Sequence, residues 1–467
     1  MDLDNILNPL TTNPEQLIGA NLAGTQLKGA NFRGINLTEI NLSDAILAYA
    51  DLIEANLTRA NLRMADLTEA FMNLVNLTAA DLTAAHLPEA ALVGAELKQA
   101  NLSQCYLRGA NLVGANFDGA NLTGTNLSEA DLRGAQLTNT QLNGAVYTNR
   151  TIFPKEFNPT QAGAYLLAPS VVLKAVNFSR MDLTGADLRG ADLRGANLSY
   201  TNLTGVNLER ANLSGANLSS ADLRTANLNE VILEKAIYDP NTRLSPNIDL
   251  REGGAYLIAA NVNLAGVNLS QVDLSYTNLS GACLSGANLR WVNFKAADLS
   301  RAILKKAGLQ QANLENIDLR QANLTSANLH QVNLKFADLR GIDLTGANLD
   351  QSDLSYADLR RADLTRTSLN QVNLAHTDLR GIDLTGANLE GANLADANLR
   401  NAELIRVNLA GANLSGVDFS GAILFAVNLD GANLAGAILT DTIVKQVSLS
   451  NVNLEDTDFA EKDKQQL

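Results

Sequence analysis

Large apolar residues recur at every fifth position along almost the whole chain. They are mostly Leu or Phe, and between positions 17 and 147 their numbers end in 2 or 7. Between 173 and 238 the numbers end in 3 or 8, and from 264 to 459 they end in 4 or 9. A small or β-branched residue lies two positions before most of these centres. The chain is therefore a five-residue repeat in three arrays, and its phase shifts twice.

A period of five predicts neither an α-helix nor an ordinary strand. A helix places apolar residues at i, i+3, i+4 and i+7, and a half-buried strand alternates strictly. Here two inward residues lie two positions apart and a gap of three follows, which indicates a very short extended segment and then a tight corner. Four such segments, one from each of four consecutive pentapeptides, would close a coil, and the coils would stack by strand pairing. At ~4.8 Å per coil, about 20 coils would form a stack about 95 Å tall if it were unbroken.

Two interruptions separate the arrays, and they are copies of one another. Residues 145–168 align without a gap with residues 236–259. Their prolines suit a loop outside the sheet, because proline donates no ladder hydrogen bond. We interpret each interruption as a loop that covers an exposed strand edge or starts a new stack, rather than as a hinge or docking loop. The predicted organisation is an N-terminal cap (1–14), array 1 (15–147), a loop (148–172), array 2 (173–238), a loop (239–263), array 3 (264–459) and a tail (460–467).

Typical units of the repeat are residues 186–190 (ADLRG) and 216–220 (ANLSS). They resemble the pentapeptide repeat family, and the resemblance covers nearly the whole chain. It implies an all-β fold, a right-handed quadrilateral β-helix of about 20 coils in three arrays. The length and the style of the interruptions look like the large members found in cyanobacteria. The motif is structural, so the resemblance implies a fold and leaves the activity open.

Composition narrows the classes of function. The chain has 49 Asp and Glu against 35 Lys and Arg, a net charge of −14, which argues against binding nucleic acid by phosphate neutralisation. Its first residues lack a positive start and an apolar run, and no apolar stretch approaches the ~18 residues of a membrane span. Cys105 is predicted to point inward and Cys283 outward, so we do not expect a disulfide between them. Two free thiols indicate a reducing compartment. We expect a cytoplasmic protein without membrane insertion.

Outward residues that lie four pentapeptides apart should stack, so they form columns along the coils. One column holds Arg320, Arg340, Arg360, Arg380 and Arg400. Two residues earlier lies a second column, which includes Asp318, Asp338, Asp358 and Asp378. Because the two charges alternate, the preferred interpretation is a surface ion-pair ladder that contributes little to stability. The alternative is a stripe that binds an anion or an acidic partner.

Two further columns carry amides and aromatic residues. Gln271, Gln311, Gln331, Gln351 and Gln371 share one column with Trp291, and stacked amides can bond along such a ladder. Phe336, Tyr356 and His376 follow one another in another column. These aromatic residues are explained equally well by neighbour packing and by a contact stripe. The candidate partner-binding surface is therefore Trp291, Phe336, Tyr356 and His376.

Candidate catalytic chemistry is not found in the sequence. The three histidines, His86, His330 and His376, are not paired with Cys or acid clusters at metal-ligand spacing. Glycines mostly end pentapeptides, where corners need them, and no nucleophile has a base beside it. We expect no enzyme, no metal and no cofactor. The predicted function is a rigid scaffold or protein-interaction module for a partner that the sequence does not name. The alternative, implied by the resemblance, is a DNA mimic that inhibits or protects DNA gyrase.

Overall fold

The computed structural model describes residues 17–458, and it divides into two compact units, Met1–Ala255 and Tyr256–Leu467. The predicted cap (1–14), the last centre Phe459 and the predicted tail (460–467) lie outside the described residues. Each unit is built from the same local element, repeated with every pentapeptide.

Each pentapeptide forms one β-bridge and one tight turn. In a typical unit, Asn41 makes the bridge and the centre Leu42 points inward. The turn is closed by the Ala45 amide, which donates to the Leu42 carbonyl at 3.1 Å. Its second central residue, Asp44, has a φ of 57°. A left-handed residue at this position is what a type II turn requires, and glycine adopts that conformation at the least cost.

Successive coils pair in parallel, and each bridge joins residues four pentapeptides apart. Asn21 bridges to Asn41, Asn41 bridges to Asn61, and the same relation runs through both units. The Leu42 amide donates to the Asn61 carbonyl at 2.7 Å, and the Asn41 amide donates back to Ala20 at 2.8 Å. The predicted β-helix is confirmed.

Regular strands occur only where the bridges lengthen to two or three residues. Within residues 17–458 these strands are β1 (Val146–Thr148), β2 (Tyr165–Leu167), β3 (Ile237–Tyr238), β4 (Tyr256–Leu257), β5 (Glu403–Ile405), β6 (Ile423–Phe425) and β7 (Ile443–Lys445). β1 pairs with β2, and β5, β6 and β7 form a three-stranded parallel sheet. The element that dominates the fold is thus a single bridge followed by a turn.

The core is a column of centres with small residues beside it. Leu42, Leu62 and Phe294 are fully buried, and so are small residues such as Ala45. Inward direction of the centres is confirmed for most units, since burying Leu and Ala side chains supplies the main driving force. Cys105 is buried as predicted, and its thiol donates to the Leu82 carbonyl at 2.8 Å.

The first interruption follows the outline of the coil before it with altered spacing. Asp131 bridges to Ile152, one position beyond the usual four pentapeptides, whereas Val146 pairs with Tyr165, one position short of them. The rings of Phe153 and Phe157 stack with centroids 5.6 Å apart, and both pack against the core of residues 17–164. The loop therefore places aromatic side chains over the last coil of array 1.

Array 2 contacts outward positions of array 1 within the first unit. The Asn126 side-chain amide donates to the Asp182 carbonyl at 2.5 Å, and Asn126 is almost fully buried. Close by, Arg108 pairs with Glu129 at 3.0 Å and approaches Gly185. The side chain of Asn126, a bridge residue of array 1, thus becomes part of a contact between the two arrays.

Candidate binding surfaces

Most arginines of the arginine column form a bidentate ion pair, here called a fork, with the aspartate of their own pentapeptide. Arg340 donates from Nε to Asp338 Oδ1 at 2.8 Å and from a terminal nitrogen to Oδ2 at 2.6 Å. A longer contact of 3.7 Å joins Arg340 to Asp358 of the next coil. Arg320, Arg360 and Arg380 repeat the fork. Arg400 differs because residue 398 is Asn, and it reaches Asp418 of the next coil at 3.3 Å.

The hydrogen bonds from the arginines lower the pKa of aspartates in this column. The Arg360 donors hold the pKa of the Asp358 carboxyl below its ordinary value, although partial burial acts in the opposite direction. The Arg380 donors have the same effect on the pKa of Asp378. Asp and Arg are both ionised at neutral pH, so the column is locally neutral and presents pairs of opposite charge to solvent.

Phe336, Tyr356 and His376 form a continuous exposed stack. The Phe336 and Tyr356 ring centroids lie 5.2 Å apart, and those of Tyr356 and His376 lie 4.9 Å apart. Phe336 and Tyr356 are 54% and 53% exposed. The stack ends at Asp396, whose carboxylate lies 3.7 Å from His376 Nδ1. The three rings therefore present their edges together to solvent.

These three residues occupy the left-handed position of their turns. Their φ angles are 58°, 63° and 58°. Glycine fills the same column further along, at Gly416 and Gly436. A bulky residue at positive φ is strained, so the rings stand where the backbone favours glycine.

Trp291 is not brought to this stack. It lies in the glutamine column, one pentapeptide earlier in the coil, and is 52% exposed. The glutamine amides bond in sequence, from Gln311 to Gln331 at 3.0 Å, from Gln331 to Gln351 at 2.9 Å and from Gln351 to Gln371 at 3.2 Å. The structure thus places the four candidate residues in two adjacent columns, as the spacing in the sequence predicts.

A second acidic column was missed by the sequence analysis. It contains Asp343, Asp363, Asp383 and Glu403, which bridge to one another in order. Their spacing of four pentapeptides was the available signal, but Asp before Leu is so common in the repeat that it was attributed to the motif. Within residues 17–458 these four carboxylates form no ion pair, in contrast to the column of Asp338 and Asp358.

Among the described residues, no group of three or more His, Cys, Asp or Glu side chains is arranged to hold a metal ion. No helix in the described part of the chain is long and apolar enough to cross a membrane.

Comparison with known families gives a match over most of the chain. A family model described as pentapeptide repeats matches residues 16–73, 76–146, 172–237 and 259–461. No curated protein matches the chain.

Three solved structures with partial similarity come from cyanobacteria. HetL of Nostoc sp. strain PCC 7120, a protein involved in heterocyst differentiation regulation, is 34% identical and covers 43% of this chain and 89% of its own, with a TM-score of 0.41. Alr5209 of the same organism is 42% identical and covers 19% and 79%, with a TM-score of 0.16. Rfr23 of Cyanothece 51142 is 28% identical and covers 32% and 99%, with a TM-score of 0.14.

Proposed function

Since this chain belongs to the pentapeptide repeat family, we propose that it is a non-enzymatic scaffold that binds a partner protein through its second unit. The contact surface in this proposal centres on Phe336, Tyr356 and His376. The single observation that supports it is the exposed aromatic stack at left-handed backbone positions.

Folding alone gives no reason for these rings. Their side chains point away from the leucine core, and their backbone conformation favours glycine. Aromatic side chains are enriched in the cores of protein interfaces, because they bury a large area with few rotatable bonds. A partner that covers the stack would desolvate three adjacent rings at once. Trp291 is a separate aromatic position on the glutamine column and is a second contact in the proposal.

Glycine substitution separates binding from folding. The double variant Phe336→Gly with Tyr356→Gly removes two rings and relieves two strained turns, so its melting temperature should stay near that of the wild type. Partner recovery by quantitative cross-linking in extracts of the native host should fall at least about tenfold if the rings anchor the interface.

Tyr200→Gly is the matched control, because Tyr200 has a φ of 59° and is 57% exposed in the first unit. This variant should recover the partner as the wild type does. Unchanged recovery by the Phe336 and Tyr356 variant would refute the assignment of the surface.

A second candidate, an inhibitor or protector of DNA gyrase, is favoured by the net charge of −14. An acidic protein can occupy a site built for DNA because it presents charge of the same sign. Supercoiling by purified gyrase, with and without this protein, tests the candidate. Equal supercoiling activity in both reactions would exclude it.

We also make proposals on the shape of the coil and on the cellular compartment of the protein. We propose a square, right-handed coil with four pentapeptides per turn and about 20 coils in three arrays. The parallel bridges between residues four pentapeptides apart support it, and a crystal structure tests it. We place the protein in the cytoplasm because Cys105 and Cys283 are both free thiols, and fractionation of host cells tests that assignment.

A further inference from the structure

The sheet of β5, β6 and β7 presents apolar side chains on its outer face. Ile405, Ile423 and Phe425 are half-buried there, and Ile443 is 49% exposed. Elsewhere in the same two columns the residues are mostly Asp, Asn and Thr. Outward isoleucine and phenylalanine contribute little to the core, because strand residues alternate between the two sides of a sheet.

The acidic column leads directly into this apolar face. Asp343, Asp363, Asp383 and Glu403 precede Ile423 and Ile443 in one uninterrupted column. Six consecutive coils therefore carry first four carboxylates and then two isoleucines. At about 4.8 Å per coil the column is about 24 Å long. We call these six residues, with Ile405 and Phe425, the acidic–apolar surface.

Two carboxylates of this surface, those of Asp363 and Asp383, have an oxygen atom to spare, whereas both oxygens of Asp343 accept hydrogen bonds. In Asp363 and Asp383 one oxygen accepts the amide of Thr365 or Thr385, at 2.9 and 2.8 Å. No arginine stands two residues later, as it does in the column of Asp358. Like charges about 5 Å apart repel, so the column is one that a cationic ligand would stabilise.

We propose that the acidic–apolar surface binds a basic amphipathic helix of a partner protein, lying along the stack. Charge complementarity selects the chemistry: basic side chains over the four carboxylates and apolar ones over the outer face of β5–β7. The spacing also fits. A helix presents one residue to a surface about every 5.4 Å, close to the rise of about 4.8 Å per coil. Over three steps the mismatch is about 2 Å, which a lysine side chain can absorb.

Basic residues flank this surface, but within residues 17–458 none of them forms an ion pair with its four carboxylates. Arg361, Arg366 and Arg406 lie at turn positions beside it, and Lys305 lies beyond its acidic end. Lys445 lies within β7, two residues after Ile443, and pairs with Phe425. The four carboxylates face outward between them. This inference concerns a different part of the coil from the aromatic stack, and it does not depend on the proposed role of Phe336 and Tyr356.

Two synthetic peptides, each about five helical turns long, test the proposal with the full chain. One places lysines on one helical face of its first half and leucines on the same face of its second half. The other reverses the order, because the structure does not fix the direction of the helix. Binding is measured by fluorescence anisotropy at low and high salt. At least one peptide should bind, and its affinity should fall as salt rises.

The acidic half is tested with Asp343→Asn, Asp363→Asn, Asp383→Asn and Glu403→Gln combined. Asn323 occupies the same column, so amides fit this backbone. We expect binding at least about tenfold weaker. The control combines Glu39→Gln, Glu54→Gln, Glu69→Gln and Glu89→Gln in the first unit, which changes the net charge equally and should leave the affinity unchanged.

The apolar half is tested with Ile423→Thr and Ile443→Thr, which keep β-branched side chains at both strands. Binding should weaken about three- to tenfold. Ile303→Thr is the control, because Ile303 is in the same column, 40% exposed, and lies beyond the acidic end. Circular dichroism melts of all variants show whether the fold is kept.

Three results would overturn the proposal. The first is that neither peptide binds the wild type. The second is that the two sets of four substitutions weaken binding equally, because bulk charge would then explain the attraction. The third is sedimentation of the wild type as a dimer that Ile423→Thr with Ile443→Thr converts to a monomer, because a second copy would then occupy the surface.

Discussion

Two acidic columns run side by side through the same coils of the second unit and have opposite electrostatic character. In the first, Asp338 and Asp358 each form an ion pair with the arginine two residues later. In the second, Asp363 and Asp383 are each followed two residues later by a threonine whose amide donates to the carboxylate. A single residue of the pentapeptide therefore decides whether the carboxylate before it forms an ion pair with an arginine.

In both columns the turn uses a side-chain oxygen that accepts a hydrogen bond from a backbone amide. Asp338 Oδ1 accepts the Arg340 amide at 3.3 Å, and Asp343 Oδ1 accepts the Thr345 amide at 3.0 Å. Asn323 makes the same bond with the Thr325 amide. An amide oxygen thus serves as well as a carboxylate, and the negative charge is not needed for the turn. What distinguishes the columns is the residue after the centre.

The largest effect should come from breaking the core that both columns share. Leu344 is 1% exposed, so Leu344→Asp places an unpaired charge inside a coil and should cost several kcal/mol of unfolding free energy. Thermal and urea melts measure the loss. Thr345→Asp, one residue further on and outward, is the control and should melt close to the wild type. Equal melting of Leu344→Asp and the wild type would show that the register is wrong.

The ion pairs of the arginine and aspartate columns should contribute less stability in acid. The pKa values of Asp358 and Asp378 are lowered by donated arginine hydrogen bonds, so their stabilisation is complete above the unfolded pKa of about 3.9 and is lost as pH falls below it. In a plot against pH, the melting temperature should therefore fall as the pH goes below about 4. The drop should be smaller in Arg340→Gln with Arg360→Gln, which removes the arginine donor of Asp358 and leaves the Arg380 donor of Asp378 in place. A steeper drop in that variant would contradict the assignment.

At neutral pH the same double variant converts part of the paired column into an unpaired one. Exposed ion pairs contribute little, so its melting temperature should fall only slightly, and the difference should shrink in high salt. Arg301→Gln is the control, because Arg301 donates to Gln321 and not to a carboxylate. If partner recovery disappeared while stability stayed unchanged, the arginine column would be a binding stripe and the ladder interpretation would be wrong.

The smallest effect should come from neutralising the unpaired column. Asp363→Asn with Asp383→Asn keeps the oxygen that accepts the threonine amides and removes two like charges. We expect no loss of stability, and a slight gain at low salt that disappears at high salt. Melting curves at two salt concentrations measure it. A clear loss would mean that these carboxylates have a structural partner.

The period of five predicted most of the fold. It identified Leu42, Leu62 and Phe294 as inward, because only one geometry buries a small and a large residue two apart and then turns. The left-handed turn residue was not predicted, since Gln, Tyr and Trp occupy a position that favours glycine. The altered bridge spacings at Ile152 and Tyr165, one position long and one position short, were also missed, because the loop between them has no repeat to count.

The candidate surfaces were predicted unevenly for a physical reason. Counting four pentapeptides per coil placed Phe336, Tyr356 and His376 in one column, and in the structure their rings stack. The same counting placed Trp291 in the adjacent glutamine column, where the structure has it, and it was added to the candidate surface because it is the only tryptophan. The aspartates of the column of Asp363 were attributed to the repeat motif, because the sequence shows charges without showing which of them have partners.

The pairing of residues four pentapeptides apart also constrains the gene. Residues 331–350 and 371–390 are near copies, as expected if the array grew by duplication of whole coils. Inserting or deleting the codons of four pentapeptides adds or removes one member of each column. A change of a single pentapeptide would keep every Leu inward and every arginine fork intact, yet it would shift later residues to the next column and interrupt the glutamine ladder and the aromatic stack. The core tolerates small steps in length, whereas the surface columns permit only whole coils.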